Sequence, residues 1–377
     1  MTNRENILAL LHYQPYEKLP VIAFGYWPET LDKWAEEGHI PSEWAEGYRQ
    51  QGDGGAADRA VMDRLGFDCN WQPTAGVNAG LCPGFEPELL EEKTDGSRVM
   101  RNQAGLIQLV KPGVISIPAE IGTTLTDREA WETLYLPKLR YTAERVDTAS
   151  LRALPPPEER QNPLGLHCGS LMGSIRDLLG VEQLSYLLAD DWDLYLEIID
   201  TVGDLTYRCV ETALNTGVRF DYAHFWEDIC FKNGPLVIPS VFDDYVGPHY
   251  RRITSLLREH GVDIVSLDCD GLIDSLIPTW VNNGVNTMFP IEVGTWKASI
   301  APWREQYGRE LRGVGGMNKT VFSQDYRAVD REIERLKPLI ALGGYIPCPD
   351  HRIAPDAVFE NVQYYCDRLH NLPLSGL

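Results

Sequence analysis

The chain has 377 residues, 44% of them hydrophobic, enough to bury a large core in one barrel-sized domain or two smaller ones. Its formal net charge of −21 argues against nucleic acid or an anionic membrane as the main partner, since both would repel it. No run of about 18 apolar residues occurs, the opening MTNRENILALLHYQPYEKLP has no basic stretch ahead of an apolar one, and the eight cysteines lack CxxC spacing, so a soluble, cytoplasmic protein with reduced thiols is expected.

In chain order, Asn3 to His12 reads as a short amphipathic helix, and Pro15 and Pro20 bracket the entry to a strand at Val21 to Phe24. Glu29 to Gln51 and Ala56 to Leu65 read as helices, leading to a short strand near Phe67 and Asp68. From Glu88 to Val114 polar and apolar residues alternate around an Asp95-Gly96 turn, the pattern of antiparallel hairpins inserted near the N-terminal third (about 88–114). LPPPEERQNP, residues 154–163, is a connector that three prolines keep out of a helix.

Beyond it the chain becomes regular. Strands are expected at Leu164 to His167, Arg219 to His224, Ile264 to Leu267, Asn286 to Phe289, Leu311 to Val314 and Gly344 to Pro347. Helical periodicity separates them over Met172 to Leu188, Trp192 to Thr216, Val241 to His260, Ala298 to Tyr307 and Gln324 to Leu342. With the two early strands this makes eight, mostly followed by helices, which points to an α/β fold of the TIM-type (β/α)8 barrel class in a single domain spanning 1–377. An open doubly wound sheet is less well served, because GVGGM at Gly313 to Met317 lacks the spacing of a dinucleotide turn.

In a barrel the chemistry gathers where the strands end. The polar residues expected there are His167; His224, Glu227 and Asp228; Asp268 and Asp270; Glu292; Asn318 and Lys319; and Cys348, Asp350 and His351. The stretch VDIVSLDCDG, residues 262–271, stands out: a β-branched buried strand ends in two carboxylates that period-2 alternation projects to one side, close enough to share a metal ion or a proton. Plainer readings stand beside it. Asp268 and Asp270 also suit a helix N-cap, Cys269 and Cys348 suit buried apolar positions, His224 suits a satisfied histidine under the rim, and Glu227 and Asp228 suit a solvated loop. His351 follows Asp350, which is placed to orient it. Lys319 suits a surface ion pair.

Three stretches carry a resemblance. RENILALLHYQPYEKLPV at the start, GLHCGSLMGSIRDLLGVEQLSYLLADDWDLYLEIIDTV in the middle and GGYIPCPDHRIAPDAVFENVQYY near the end resemble the uroporphyrinogen decarboxylase superfamily, which includes the cobalamin-dependent methyltransferases. The resemblance implies the same barrel, and members of the superfamily are often homodimers. FGYWPETLDKW, residues 24–34, has no arginine of the kind the decarboxylases use for a many-carboxylate substrate, which favours the methyltransferase branch. That branch binds zinc through a His-x-Cys-Gly motif and a later cysteine. On that pattern Asp268 and Asp270 stand for the histidine and cysteine, Cys348 falls near the later cysteine, and His351 matches the histidine of the decarboxylases' final turn.

The expectation is therefore a corrinoid-dependent methyltransferase that demethylates an oxygen- or nitrogen-methyl donor, with zinc in the site and cobalamin on a partner corrinoid protein. His351, Asp268, Asp270, Glu227 and His224 are the expected catalytic groups, and Asp268, Asp270 and Cys348 the expected metal ligands. Tyr26, Trp27, Tyr222, Trp226, Trp296 and His167 are expected to hold the small-molecule donor, with Trp71 in the same aromatic set. The alternatives are a lyase or decarboxylase of a smaller acid, which convergent arginines would favour, and a catalytically silent ligand-binding barrel.

Overall fold

Short apolar strands and amphipathic helices alternate along this computed structural model, which describes residues 1–112 and 118–373. The first strands are β1 (Ile22–Ala23), β2 (Cys69–Asn70) and β3 (Thr74–Ala75). Next come β4 (Glu88–Glu92), β5 (Arg98–Arg101), β6 (Leu106–Val110) and β7 (Ala119–Thr123), a four-stranded antiparallel sheet in that order. After β8 (Gly165–His167) and β9 (Tyr222–Trp226), a small hairpin forms from β10 (Cys230–Phe231) and β11 (Gly234–Pro235). β12 (Val265–Asp268), β13 (Thr287–Phe289), β14 (Arg312–Met317) and β15 (Tyr345–Pro349) complete the set.

The fold is mixed α/β around a large parallel sheet. Seven strands bond in the order β15-β14-β13-β12-β9-β8-β3, and every neighbouring pair in it is parallel. β1 and β2 form a second parallel pair, and a parallel bridge joins Tyr26, just past β1, to Ile353, just past β15. Parallel strands need long crossovers, and here helices supply most of them. The helix Trp192–Leu214 starts at Asp191, whose carboxylate accepts the Leu194 N–H at 2.9 Å, and buries Leu194, Ile198, Val202, Leu205 and Cys209 in the core beside the helices Met172–Asp190 and Gly247–Glu259.

The structure moves several expected boundaries. Glu29 to Gln51 is two helices, Pro28–Glu36 and Ser42–Gln51, because Gly38 takes φ +79° and Pro41 follows. The helix after Val241 proper begins at Gly247, with Pro248 in its first turn. The antiparallel region extends to Thr123, and Gly113 and Val114, the end expected for it, lie outside the described residues. Its turn has Gly96 at φ +79°, and Thr123 Oγ1 docks the sheet on the helix Met172–Asp190 by donating to the Leu178 carbonyl at 2.6 Å.

All eight cysteines are free, and all but Cys82 are buried. Among the described residues no helix is long and apolar enough to cross a membrane.

Candidate functional site at the strand ends

β12 is buried along its whole length and delivers Asp268 as its last residue, 2% exposed. Gln72 Nε2 donates to Asp268 Oδ2 at 2.7 Å. Cys269 is also buried, and Asp270 then emerges beside the loop of the neighbouring strand. Gly271 has φ +88°, and a Cβ there would stand 2.6 Å from the Cys230 carbonyl oxygen, so only glycine lets the chain turn this closely.

The third member comes from the end of β9. Asp228 holds φ +47°, an uncommon backbone conformation for a residue with a side chain. Three bonds keep it there: its carbonyl accepts from Arg176, its Oδ1 accepts the Asp270 N–H at 3.1 Å, and its Oδ2 accepts from Trp226 Nε1 at 3.1 Å. The Glu227 N–H donates to the Asp268 carbonyl at 2.8 Å, tying the two strand ends together. One carboxylate oxygen from each of Asp228, Asp268 and Asp270 lies within 4.8 Å of the others. Burial pushes the Asp268 carboxyl well above its usual range, and the Asp228 and Asp270 charges push it further. Burial and then Asp270 raise Asp228 in the same sense.

His351 completes this group. Its Nε2 lies 3.3 Å from Asp270 Oδ2, while its Nδ1 and Asp270 Oδ1 are buried without a partner among the described residues. Trp27 stacks on the imidazole, centroids 5.7 Å apart at 22°. Glu292 borders the group, accepting from Gly271 N–H at 2.7 Å and from Trp296 Nε1. Burial and Asp270 raise its carboxyl. Lys319 is half-buried rather than in a surface ion pair: Nζ donates to the Arg352 carbonyl at 3.0 Å, and burial lowers its affinity for a proton against the pull of Asp350, Asp270 and Glu292.

Other candidates occupy different places. Glu227 is 1% exposed and accepts from Leu171 N–H at 2.9 Å, Gly173 N–H at 2.7 Å, Ser170 Oγ at 3.3 Å and Tyr250. That binds its carboxylate to the start of the helix Met172–Asp190, not to the three aspartates. His224 is fully buried, its Nδ1 3.2 Å from Ser266 Oγ and its Nε2 without a partner among the described residues; burial, with His167 opposite it on β8, depresses its pKa to about 3. His167 lines a cavity of about 350 Å³ with Arg176, Trp226 and Asp228. Cys348 is buried on β15, and the structure does not bring it into the carboxylate group; Asp228 stands there instead. Asp350 does not orient His351, because its oxygens accept from Val293, Gly294 and Lys319 N–H groups at 2.9, 2.8 and 3.1 Å.

The aromatic set divides. Trp27, Trp226 and Trp296 each touch a member of the site, and Trp226 is 51% exposed. Tyr26 packs fully buried on Trp34 and Tyr48. Trp71 and Tyr222 stack on each other at 4.3 Å inside the core, with Trp71 Nε1 on Ser266 Oγ. Asp228 entered the sequence reading only as a rim residue, and Gln72 and Arg176 were not singled out. Forty residues separate Asp228 from Asp268, and only the pairing of β9 with β12 brings them together.

No protein-family profile matches the sequence, and no curated protein matches it. Among solved structures, the chain is similar to a methyltransferase from Methanosarcina mazei, at 14% identity and TM-score 0.58, covering 98% of each chain. That likeness is one of fold. A vitamin-B12 independent methionine synthase structure from Listeria monocytogenes matches over 55% of this chain and 64% of that one, at 13% identity and TM-score 0.34, too low to carry an argument.

Proposed function

We propose that this chain is a methyltransferase built as a single TIM-type barrel with β4 to β7 inserted beside it, and that it passes a methyl group from oxygen or nitrogen of a small molecule to a corrinoid on a separate protein. Support for the barrel is the neighbour-by-neighbour strand order and the Tyr26–Ile353 bridge between its first and last members. Support for the class is the fold shared with the Methanosarcina mazei methyltransferase together with the resemblance of the three sequence stretches. The observation that carries the reading is the convergence of Asp228, Asp268 and Asp270 within 4.8 Å beside His351.

The donor set fits a divalent cation. Three carboxylates crowd a largely buried space where burial and the neighbouring charges raise the proton affinity of Asp268 and Asp228, and Asp270 Oδ1 and His351 Nδ1 have no partner among the described residues. Asp228, Asp268 and Asp270 would hold the ion, and all-oxygen ligation suits magnesium or manganese better than the zinc the resemblance implies. Such an ion would supply a Lewis acid at the heteroatom that carries the methyl group. The residues themselves do the rest. His351, against Asp270, is placed to hand a proton to the departing oxygen or nitrogen, which keeps the electron pair of its broken bond to carbon while the reduced corrinoid provides the pair for the new one. Trp27 and Trp296 wall this side of the site.

The test combines metal analysis with transfer assays. The purified protein should carry a stoichiometric divalent metal, lost in the Asp268→Ala, Asp270→Ala double variant, and should methylate a reduced corrinoid protein from at least one of a panel of methoxylated and methylamine donors. Absence of both metal and transfer would overturn the reading. One observation favours the lyase alternative, namely that Arg176 lines the cavity next to Asp228. Arg352, which reaches the Tyr26 carbonyl at 3.5 Å, is committed to Asp53 and adds nothing to it.

A further inference from the structure

The 350 Å³ cavity between β8, β9 and the helix Met172–Asp190 touches Asp228 but has its own chemistry. Its lining includes His167, Ser174, Arg176 and Asn78, and each has hydrogen-bonding capacity left over among the described residues. Neither ring nitrogen of His167, nor Ser174 Oγ, nor Asn78 Nδ2 bonds to protein among the described residues; His167 and Ser174 are half-buried and Asn78 is exposed, so these positions are open to whatever enters the cavity. Arg176 spends three donors, Nε and Nη2 on Asp177 Oδ1 at 3.2 and 2.7 Å and Nη1 on the Asp228 carbonyl, and two of its five remain.

Three backbone N–H groups at this end of the helix are already taken. The Leu171 and Gly173 N–H groups go to Glu227 and that of Ser174 to Ser170 Oγ. What the cavity presents is thus a set of side-chain donors around one guanidinium, with Trp226, Val77 and Ala79 as apolar walls. Such a set recognises oxygen atoms carrying negative charge. A singly charged group suits it better than a dianion, because Asp177, Asp228 and Glu227 all border the same space in a protein of net charge −21.

We infer that this cavity holds the carboxylate of a monocarboxylic substrate, gripped by Arg176, Ser174 and His167, with the body of the molecule along Trp226 and its methylated heteroatom at Asp228. This names a substrate class for the site and rests on the methyltransferase reading only for the methyl group; carboxylate recognition stands without it.

Direct binding separates the two. Calorimetric titration of the full-length protein would use benzoate, 4-methoxybenzoate and N,N-dimethylglycine, against 4-methoxybenzamide and inorganic phosphate. At least one acid should bind saturably, and 4-methoxybenzamide and phosphate at least ten times more weakly than that acid. Arg176→Gln should weaken the acid at least tenfold, and Ser174→Asp, which places a negative charge in the cavity, should abolish its binding while circular dichroism stays unchanged. Should Arg176→Gln fail to fold, Ser174→Asp decides alone. No binding by any acid, equal binding of acid and amide, or undiminished binding in Ser174→Asp would overturn the inference. An acid that binds as expected but is never demethylated would overturn methyl transfer and leave the carboxylate site in place.

Discussion

His351 Nε2 stands 3.3 Å from Asp270 Oδ2, while the other ring nitrogen is buried with no partner among the described residues and Trp27 lies flat against the ring. An imidazole fixed on one edge and unsatisfied on the other is held for something that arrives, since buried polar atoms are otherwise paired. His351→Gln should lower methyl transfer about 100-fold to 10,000-fold, the range of a lost general acid, and leave the urea midpoint nearly unchanged. Turnover within threefold of the parent would remove His351 from the chemistry.

The ligand assignment is separable from the cysteine. Cys348→Ala should leave manganese affinity within about threefold, whereas Asp228→Asn should weaken it by tenfold or more, in line with the loss of a charged oxygen ligand. Equilibrium dialysis with electron paramagnetic resonance of free Mn²⁺ reads both. The reverse ranking would restore Cys348 as the ligand and discard Asp228.

Glu227 should prove a residue of stability. Its carboxylate takes three donors at the start of the helix Met172–Asp190 and the Tyr250 hydroxyl from the helix Gly247–Glu259. Glu227→Ala strands them all in a buried place and should cost about 3–5 kcal/mol in urea unfolding, with Glu227→Gln, which keeps the acceptor oxygen, costing less. A Glu227→Ala protein of parental stability that had lost only its turnover would contradict this.

Burial sets a direction for pH dependence at His224. Its pKa falls from 6.5 to about 3 on folding, so between those values the unfolded chain binds the extra proton, and stability is present above 6.5 and lost as pH falls toward 3. Between pH 6 and 4 that single site should contribute a slope of roughly 1.4 kcal/mol per pH unit. His224→Gln should flatten the acid limb of the stability profile by that amount, measured by urea unfolding at each pH. An unchanged slope would mean that His224 is protonated in the fold.

Much of this architecture is written in local pattern. The stretch Ile264 to Leu267 is legible as a buried strand because its apolar residues, two of them β-branched, suit a covered pleated surface, and the two carboxylates that follow mark its end without any knowledge of neighbours. Helices such as Trp192–Leu214 were equally plain from their period. Indole side chains, by contrast, look alike in sequence. Burial alone separates Trp71, locked on Tyr222, from Trp27 and Trp226 at the site.

The composition of the site itself was decided by tertiary structure. Asp228 joins Asp268 and Asp270 only because β9 pairs with β12, and Glu227, one residue earlier, goes to a helix end because the chain leaves the strand there, with Asp228 turned to φ +47°. Sequence fixes which groups stand at strand ends, since that depends on neighbours a few residues apart. Which of them meet depends on contacts between strands tens to hundreds of residues apart, and only packing sets those.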